Sequence, residues 1–123
     1  MATKKIMVVD DEEHLVELIK AILETAGFDV TTSSSGSEAL DKLKSVKPDL
    51  VLLDMMMPGM SGRQVCEKIR ANAKTKNLKV AFLTVARFSE TGKGVLDKMK
   101  VADYITKPFD NDDLVKRVKK LVV

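Results

Sequence analysis

Five short apolar runs alternate with five stretches of helical periodicity along the whole chain, and this alternation leaves few folds open. The runs are KKIMVV (4–9), FDVTT (28–32), DLVLLD (49–54), KVAFLT (79–84) and ADYIT (102–106). Short runs of aliphatic and β-branched residues bounded by polar ones read as buried strands. Between them apolar residues return at helical spacing. Leu15, Leu18, Ile19, Ile22 and Leu23 come first, then Ala39, Leu40 and Leu43, then Val65 and Ile69. A weaker stretch over about 88–99 follows, and Leu114, Val115, Val118 and Leu121 mark a last helix over 111–122. Gly27 is placed to end the first helix, Ser37 to cap the second and Pro48 to stop it. Gly92 and Gly94 weaken the fourth by roughly 1 kcal/mol each. Such an order calls for a parallel sheet with helices on both faces, because each right-handed crossover needs a covering element.

A sheet of this kind gathers functional groups at the carboxyl ends of its strands. Asp10 and Asp11 follow the first strand, Asp54 closes the third, Thr84 closes the fourth and Lys107 follows the fifth. One edge therefore receives three carboxylates, a hydroxyl and an ammonium. Close carboxylates repel unless a cation neutralises them or a proton is taken up. A hard divalent ion such as Mg²⁺ fits a set made only of oxygen donors. Asp11 also suits a helix N-cap, and Glu12 and Glu13 are ordinary charges for the positive end of a helix. Asp54 alone reads equally as a turn residue, and Thr84 alone as a good strand residue. Their joint placement at the strand ends carries the signal.

Other residues narrow the field. With 123 residues, 45% hydrophobic and 32% charged, the chain has the size and balance of one domain with a core. The single cysteine, Cys66, allows no internal disulfide and sits at core spacing with Val65 and Ile69. The single histidine, His14, has no companions at zinc-ligand spacing. No apolar stretch approaches the roughly 20 residues of a membrane span, and no signal peptide is legible. A cytoplasmic protein without membrane contact is expected. Net charge is +3, and Lys116, Arg117, Lys119 and Lys120 cluster near the end. Without tryptophan and with one tyrosine, these read as a solvated helix face, so no direct nucleic-acid binding is expected.

The segments VVDDEE (8–13), LVLLDMMMPGMSG (50–62), FLT (82–84) and DYITKPF (103–109), in this order, make the chain resemble the receiver domain of two-component response regulators, including the single-domain chemotaxis type. The resemblance covers essentially the whole chain. It implies a flavodoxin-like doubly wound α/β fold, (βα)5, with strand order 2-1-3-4-5. It implies that Asp54 is the phosphoacceptor, and that Asp10, Asp11, Asp54 and the backbone carbonyl of Met56 hold Mg²⁺. Thr84 would reach a phosphoryl oxygen, Lys107 would pair with the phosphoryl group, and Tyr104 would be the aromatic switch residue. A cis peptide would join Lys107 to Pro108. The domain would catalyse its own phosphorylation and dephosphorylation without being an enzyme in the ordinary sense. Its partners would be a histidine kinase or phosphotransfer protein, and a downstream target or fused output domain. All of 1–123 is taken up by the receiver, so no output domain is expected within it.

The chain departs from the family's pattern at several positions. Val85 stands where a small residue is usual, and Lys100 and Val101 replace a glycine and an alanine before the fifth strand. Met56 and Ala86 are apolar at positions that tune dephosphorylation in the family, so slow hydrolysis is expected. Competing readings fit less well. A flavodoxin-like cofactor binder would not place DDEE where phosphate must sit. A haloacid-dehalogenase-like phosphatase expects a second aspartate where Met56 stands. A degenerate receiver that only binds partners would not need the full set of Asp10, Asp11, Asp54, Thr84 and Lys107.

Overall fold

The computed structural model describes residues 3–85 and 100–123. In chain order the elements are β1 (Lys5–Val9), α1 (Glu13–Thr25), β2 (Asp29–Ser33), α2 (Gly36–Lys42), β3 (Leu50–Asp54), α3 (Gly62–Ala71), β4 (Val80–Thr84), β5 (Asp103–Thr106) and α4 (Asn111–Leu121). The strands form one parallel sheet in the order β2-β1-β3-β4-β5. The helix expected over about 88–99, with Gly92, Gly94 and the neighbouring Ala86, lies outside the described residues.

Each inner strand sends alternate side chains to opposite faces, and both faces are covered. Ile6, Val8, Leu50, Leu52, Ala81 and Leu83 pack with Ile19 and Leu23 of α1 and Leu114 and Val118 of α4. Met7, Val9, Val51, Leu53, Val80 and Phe82 pack with Ala39 of α2 and Val65, Cys66 and Ile69 of α3. Burial on both sides explains why β3 and β4 are apolar without alternation. Each fully buried Leu, Ile or Val contributes about 1.5–3 kcal/mol of transfer free energy.

The helix ends show where local sequence decides and where packing overrides it. At the end of α1, Gly27 has φ +99°, its N–H bonds the Glu24 carbonyl, and the Phe28 N–H bonds that of Leu23. This pair of bonds is a Schellman motif. The N-cap of α1 is Glu12, not Asp11: the first helical bond runs from the Val16 N–H to the Glu12 carbonyl at 3.0 Å, while the Glu12 N–H donates to Asp10 Oδ1 at 3.0 Å. In α2 the cap is Ser35 in place of Ser37; its Oγ accepts from the Glu38 N–H at 3.1 Å. Gly36 opens that helix because it is wedged against α3, where a Cβ would stand 2.5 Å from Val65 Cγ2. Pro48 does not stop α2, which ends at Lys42; Pro48 is buried ahead of β3.

At the opposite pole, Arg70 of α3 lays its guanidinium over the carbonyls of Lys76, Leu78 and Lys100, at 3.2, 2.6 and 3.1 Å. Lys100 is held there with φ +56°, in the left-handed region. A residue with a Cβ pays roughly 1–2 kcal/mol for that conformation, partly offset by the unfolded-state freedom a glycine would add. Lys100→Gly is therefore expected to raise unfolding free energy by about 0.5–1 kcal/mol. An unchanged or lower urea midpoint would contradict this.

Candidate functional site

The strand order reverses direction between β1 and β3, and the loops leaving those two strands part to open a crevice. Register pairs Val9 with Leu53, so Asp10 and Asp54 emerge side by side. Leu83 pairs with Asp54, which brings Thr84 to the same edge. The Lys107 N–H bonds the Thr84 carbonyl at 2.7 Å, fixing the turn after β5 beside it. The Lys107–Pro108 peptide is cis.

The side chains converge. Lys107 Nζ donates to Asp10 Oδ2 at 2.8 Å and lies 3.4 Å from Asp54 Oδ1. Carboxylate oxygens of Asp10, Asp11 and Asp54 lie within 4.8 Å of one another. Asp10 is fully buried and Asp54 is 4% exposed, whereas Asp11 is open to solvent. The Met56 N–H donates to Asp54 Oδ1 at 3.2 Å. Burial, and then the charge of Asp10, push the Asp54 carboxyl up to about 6, against the opposing pull of the Met56 N–H and Lys107. Burial works to lower the Lys107 pKa, but the Asp10 hydrogen bond and the charges of Asp10 and Asp54 outweigh it and raise it. One ammonium thus serves two buried carboxylates, and a third stands beside them.

Thr84 is buried at the end of β4. Tyr104 lies on β5, half-buried, with its ring stacked on Phe82 at 6.2 Å between centroids. Met56 projects into solvent, 74% exposed, as does Val85 at 68%. His14 is exposed, and Cys66 is buried with its thiol pushed up by burial. Neither belongs to the site.

Two contributors escaped the sequence reading. The Glu12 N–H orients Asp10, a backbone role with no side-chain signature. Gly62 at the start of α3 sits so close to β3 that a Cβ would come 2.2 Å from the Asp54 carbonyl oxygen. The available signal was a glycine opening a helix behind the capping box of Ser61 and Gln64, where a better helix former would be expected.

The family model of the response regulator receiver domain matches residues 6–119. The alkaline phosphatase synthesis transcriptional regulatory protein PhoP of Bacillus subtilis is 40% identical over 119 residues, which is 97% of this chain and 48% of that protein. The chain thus spans about half the length of this curated relative. Among solved structures, the Vibrio cholerae chemotaxis protein CheY4 superposes with a TM-score of 0.91 at 27% identity, covering 98% of this chain and 99% of that one. The response regulator TrrA of Thermotoga maritima, solved in complex with Mg²⁺ and BeF, gives 0.83 at 39% identity, covering 97% and 99%.

Proposed function

The chain belongs to the response regulator receiver domain family, and from that premise we propose that it is a phosphorylation-dependent switch in which Asp54 accepts a phosphoryl group from a histidine kinase, a phosphotransfer protein or a small phosphodonor. The observation that carries this reading is the convergence of Asp10, Asp11 and Asp54 within 4.8 Å around an ammonium shared by two of them.

The residues present suit Mg²⁺. Every donor in the cluster is a hard carboxylate oxygen, and three carboxylates against one ammonium leave negative charge to be neutralised. Asp10, Asp11 and Asp54, with the Met56 carbonyl, would hold the ion. When bound, it supplies positive charge that lets an anionic carboxylate meet an anionic phosphodonor. Asp54 is positioned by its Met56 N–H bond and by the end of β3, so the attacking oxygen is aimed before the donor arrives. The bond from that oxygen to phosphorus forms as the bond to the donor's leaving group breaks. Lys107, already 3.4 Å from Asp54, pairs with the charge left on the phosphoryl oxygens. The hydroxyl of Thr84 donates to another of them.

The acyl phosphate carries nearly two charges and three acceptor oxygens, enough to draw Thr84 and the chain after it inward. Tyr104 follows from its place on Phe82, and the change reaches the face formed by β5, α4 and the helix expected over about 88–99, which lies outside the described residues. Moving such an equilibrium from 1:99 to 99:1 takes about 5.5 kcal/mol of differential interaction. That face would control a target protein or a fused output domain. No helix among the described residues is long and apolar enough to cross a membrane, and the reading places the domain in the cytoplasm. The exposed apolar Met56 beside Asp54 supports slow hydrolysis; Ala86, the other residue expected to contribute, lies outside the described residues.

The test is incubation with acetyl phosphate followed by intact mass measurement. One phosphoryl group is expected with Mg²⁺ and none in excess EDTA. Equal labelling in EDTA would remove the metal from the reading. No labelling with Mg²⁺ from any donor would leave a domain that only binds partners.

A further inference from the structure

The oxidisable side chains of the described residues divide sharply by exposure. Cys66 is fully buried and burial holds its thiol protonated, so it offers peroxide little nucleophilic thiolate. Met7 is fully buried, Met57 nearly so, and Met55 and Met60 are packed against the same cluster. Met56 alone among these methionines is largely exposed, at 74%, and its side chain fills no part of either core. It is also tied to the reacting group, since its own N–H donates to Asp54 Oδ1 at 3.2 Å. A thioether this exposed, on the residue whose N–H holds Asp54, has no packing reason to be there.

We propose that Met56 is a redox modification site through which peroxide sets the lifetime of the phosphoryl group on Asp54. The proposal rests on the phosphoacceptor reading above and extends it. A sulfur lone pair attacks one oxygen of hydrogen peroxide; the S–O bond forms, the O–O bond breaks and water leaves. Sulfur is oxidised by two electrons and the peroxide is reduced. The thioether becomes a sulfoxide, a strong and compact hydrogen-bond acceptor in place of an apolar group. Water bound to that oxygen is held at the mouth of the site, where the thioether holds none. In hydrolysis the water oxygen bonds to phosphorus as the bond to the Asp54 oxygen breaks. Inorganic phosphate takes up the proton, and the carboxylate is regenerated. Met56 acts through the water and is a positioning residue.

The experiment treats the whole chain with graded hydrogen peroxide and reads two quantities. Peptide mapping gives the oxidation rate of each methionine, Met1 and Met99 included. The decay of the phosphorylated mass, after removal of acetyl phosphate, gives the lifetime. Met56 is expected to oxidise well ahead of Met7, Met55, Met57 and Met60, and the lifetime to shorten about threefold or more. Treatment with methionine sulfoxide reductase restores it. In Met56→Leu the lifetime is expected to be the same before and after peroxide, which separates Met56 from Met1 and Met99. The proposal is overturned by slow oxidation of Met56, by an unchanged lifetime in the oxidised protein, or by a Met56→Leu variant that still responds. Absence of labelling before any peroxide overturns the phosphoacceptor reading itself and the proposal with it, while the peptide map still reports on Met56.

Discussion

Asp54→Asn is expected to abolish phosphoryl acceptance and to make the fold more stable at neutral pH. The first effect follows because an amide has no anionic oxygen with which to attack phosphorus. The second follows from the carboxyl's position, where burial and the neighbouring Asp10 raise its pKa from 3.8 to about 6. Between those values the unfolded chain has released the proton that the folded chain still holds. Stability therefore falls as pH rises through that window, and the whole penalty is present above about pH 6. A shift of this size corresponds to roughly 2–3 kcal/mol, reduced in the variant by the loss of Lys107's second partner. The amide oxygen of asparagine still accepts the Met56 N–H. Urea unfolding in EDTA should show the variant about 1–3 kcal/mol more stable at pH 7.5, with the gain fading toward pH 4. A variant less stable at pH 7.5 would mean that pairing with Lys107 outweighs burial and repulsion. Undiminished labelling would remove Asp54 from its role.

Gly62→Ala is expected to damage both the fold and the site. The added methyl would stand 2.2 Å from the Asp54 carbonyl oxygen and 2.9 Å from the Asp54 carbonyl carbon and the Met55 Cα. All three are backbone atoms and cannot rotate aside. The helix start cannot easily retreat either, because the Gly62 N–H bonds the Met55 carbonyl at 3.1 Å and the Ser61–Gln64 capping box holds the same turn. Alanine's helix propensity, worth about 1 kcal/mol over glycine, is outweighed by this overlap. A net loss of about 3 kcal/mol is expected, with labelling by acetyl phosphate slowed about tenfold or more as Asp54 is displaced. Gly36→Ala makes the contrast. Its methyl would meet the side chains of Val65 and Met60, which can shift, so it should lose less stability and label normally. A Gly62→Ala protein that unfolds and labels like the parent would show that the contact is relieved at no cost.

What could be read from sequence was whatever local pattern or topology decides. The five strands were legible from runs a few residues long, and their carboxyl ends named Asp10, Asp11, Asp54, Thr84 and Lys107 because a parallel sheet brings those ends to one edge. The start of α2 was misread because Gly36 is placed by its fit against Val65 and Met60, a contact between helices that outranks glycine's poor helix propensity. Pro48 was misread as a helix stop because its burial ahead of β3 is likewise a tertiary fact. The raised pKa of Asp54 depends on its burial and then on a carboxylate that follows a different strand, and the constraint at Gly62 on a backbone approach between elements. No window of sequence contains either.

Lys107 follows β5 and reaches Asp10 after β1, although β3 and β4 lie between those strands. Mechanically this bond is a tie-rod across the upper rim of the sheet, fastening its outer strand β5 to the inner strand β1. On the proposed function, a phosphoryl group on Asp54 would compete for the same ammonium, and the signal would begin as a transfer of tension. The rim would slacken at Asp10 and tighten one strand further on, and β5, at the sheet's edge, would register the difference.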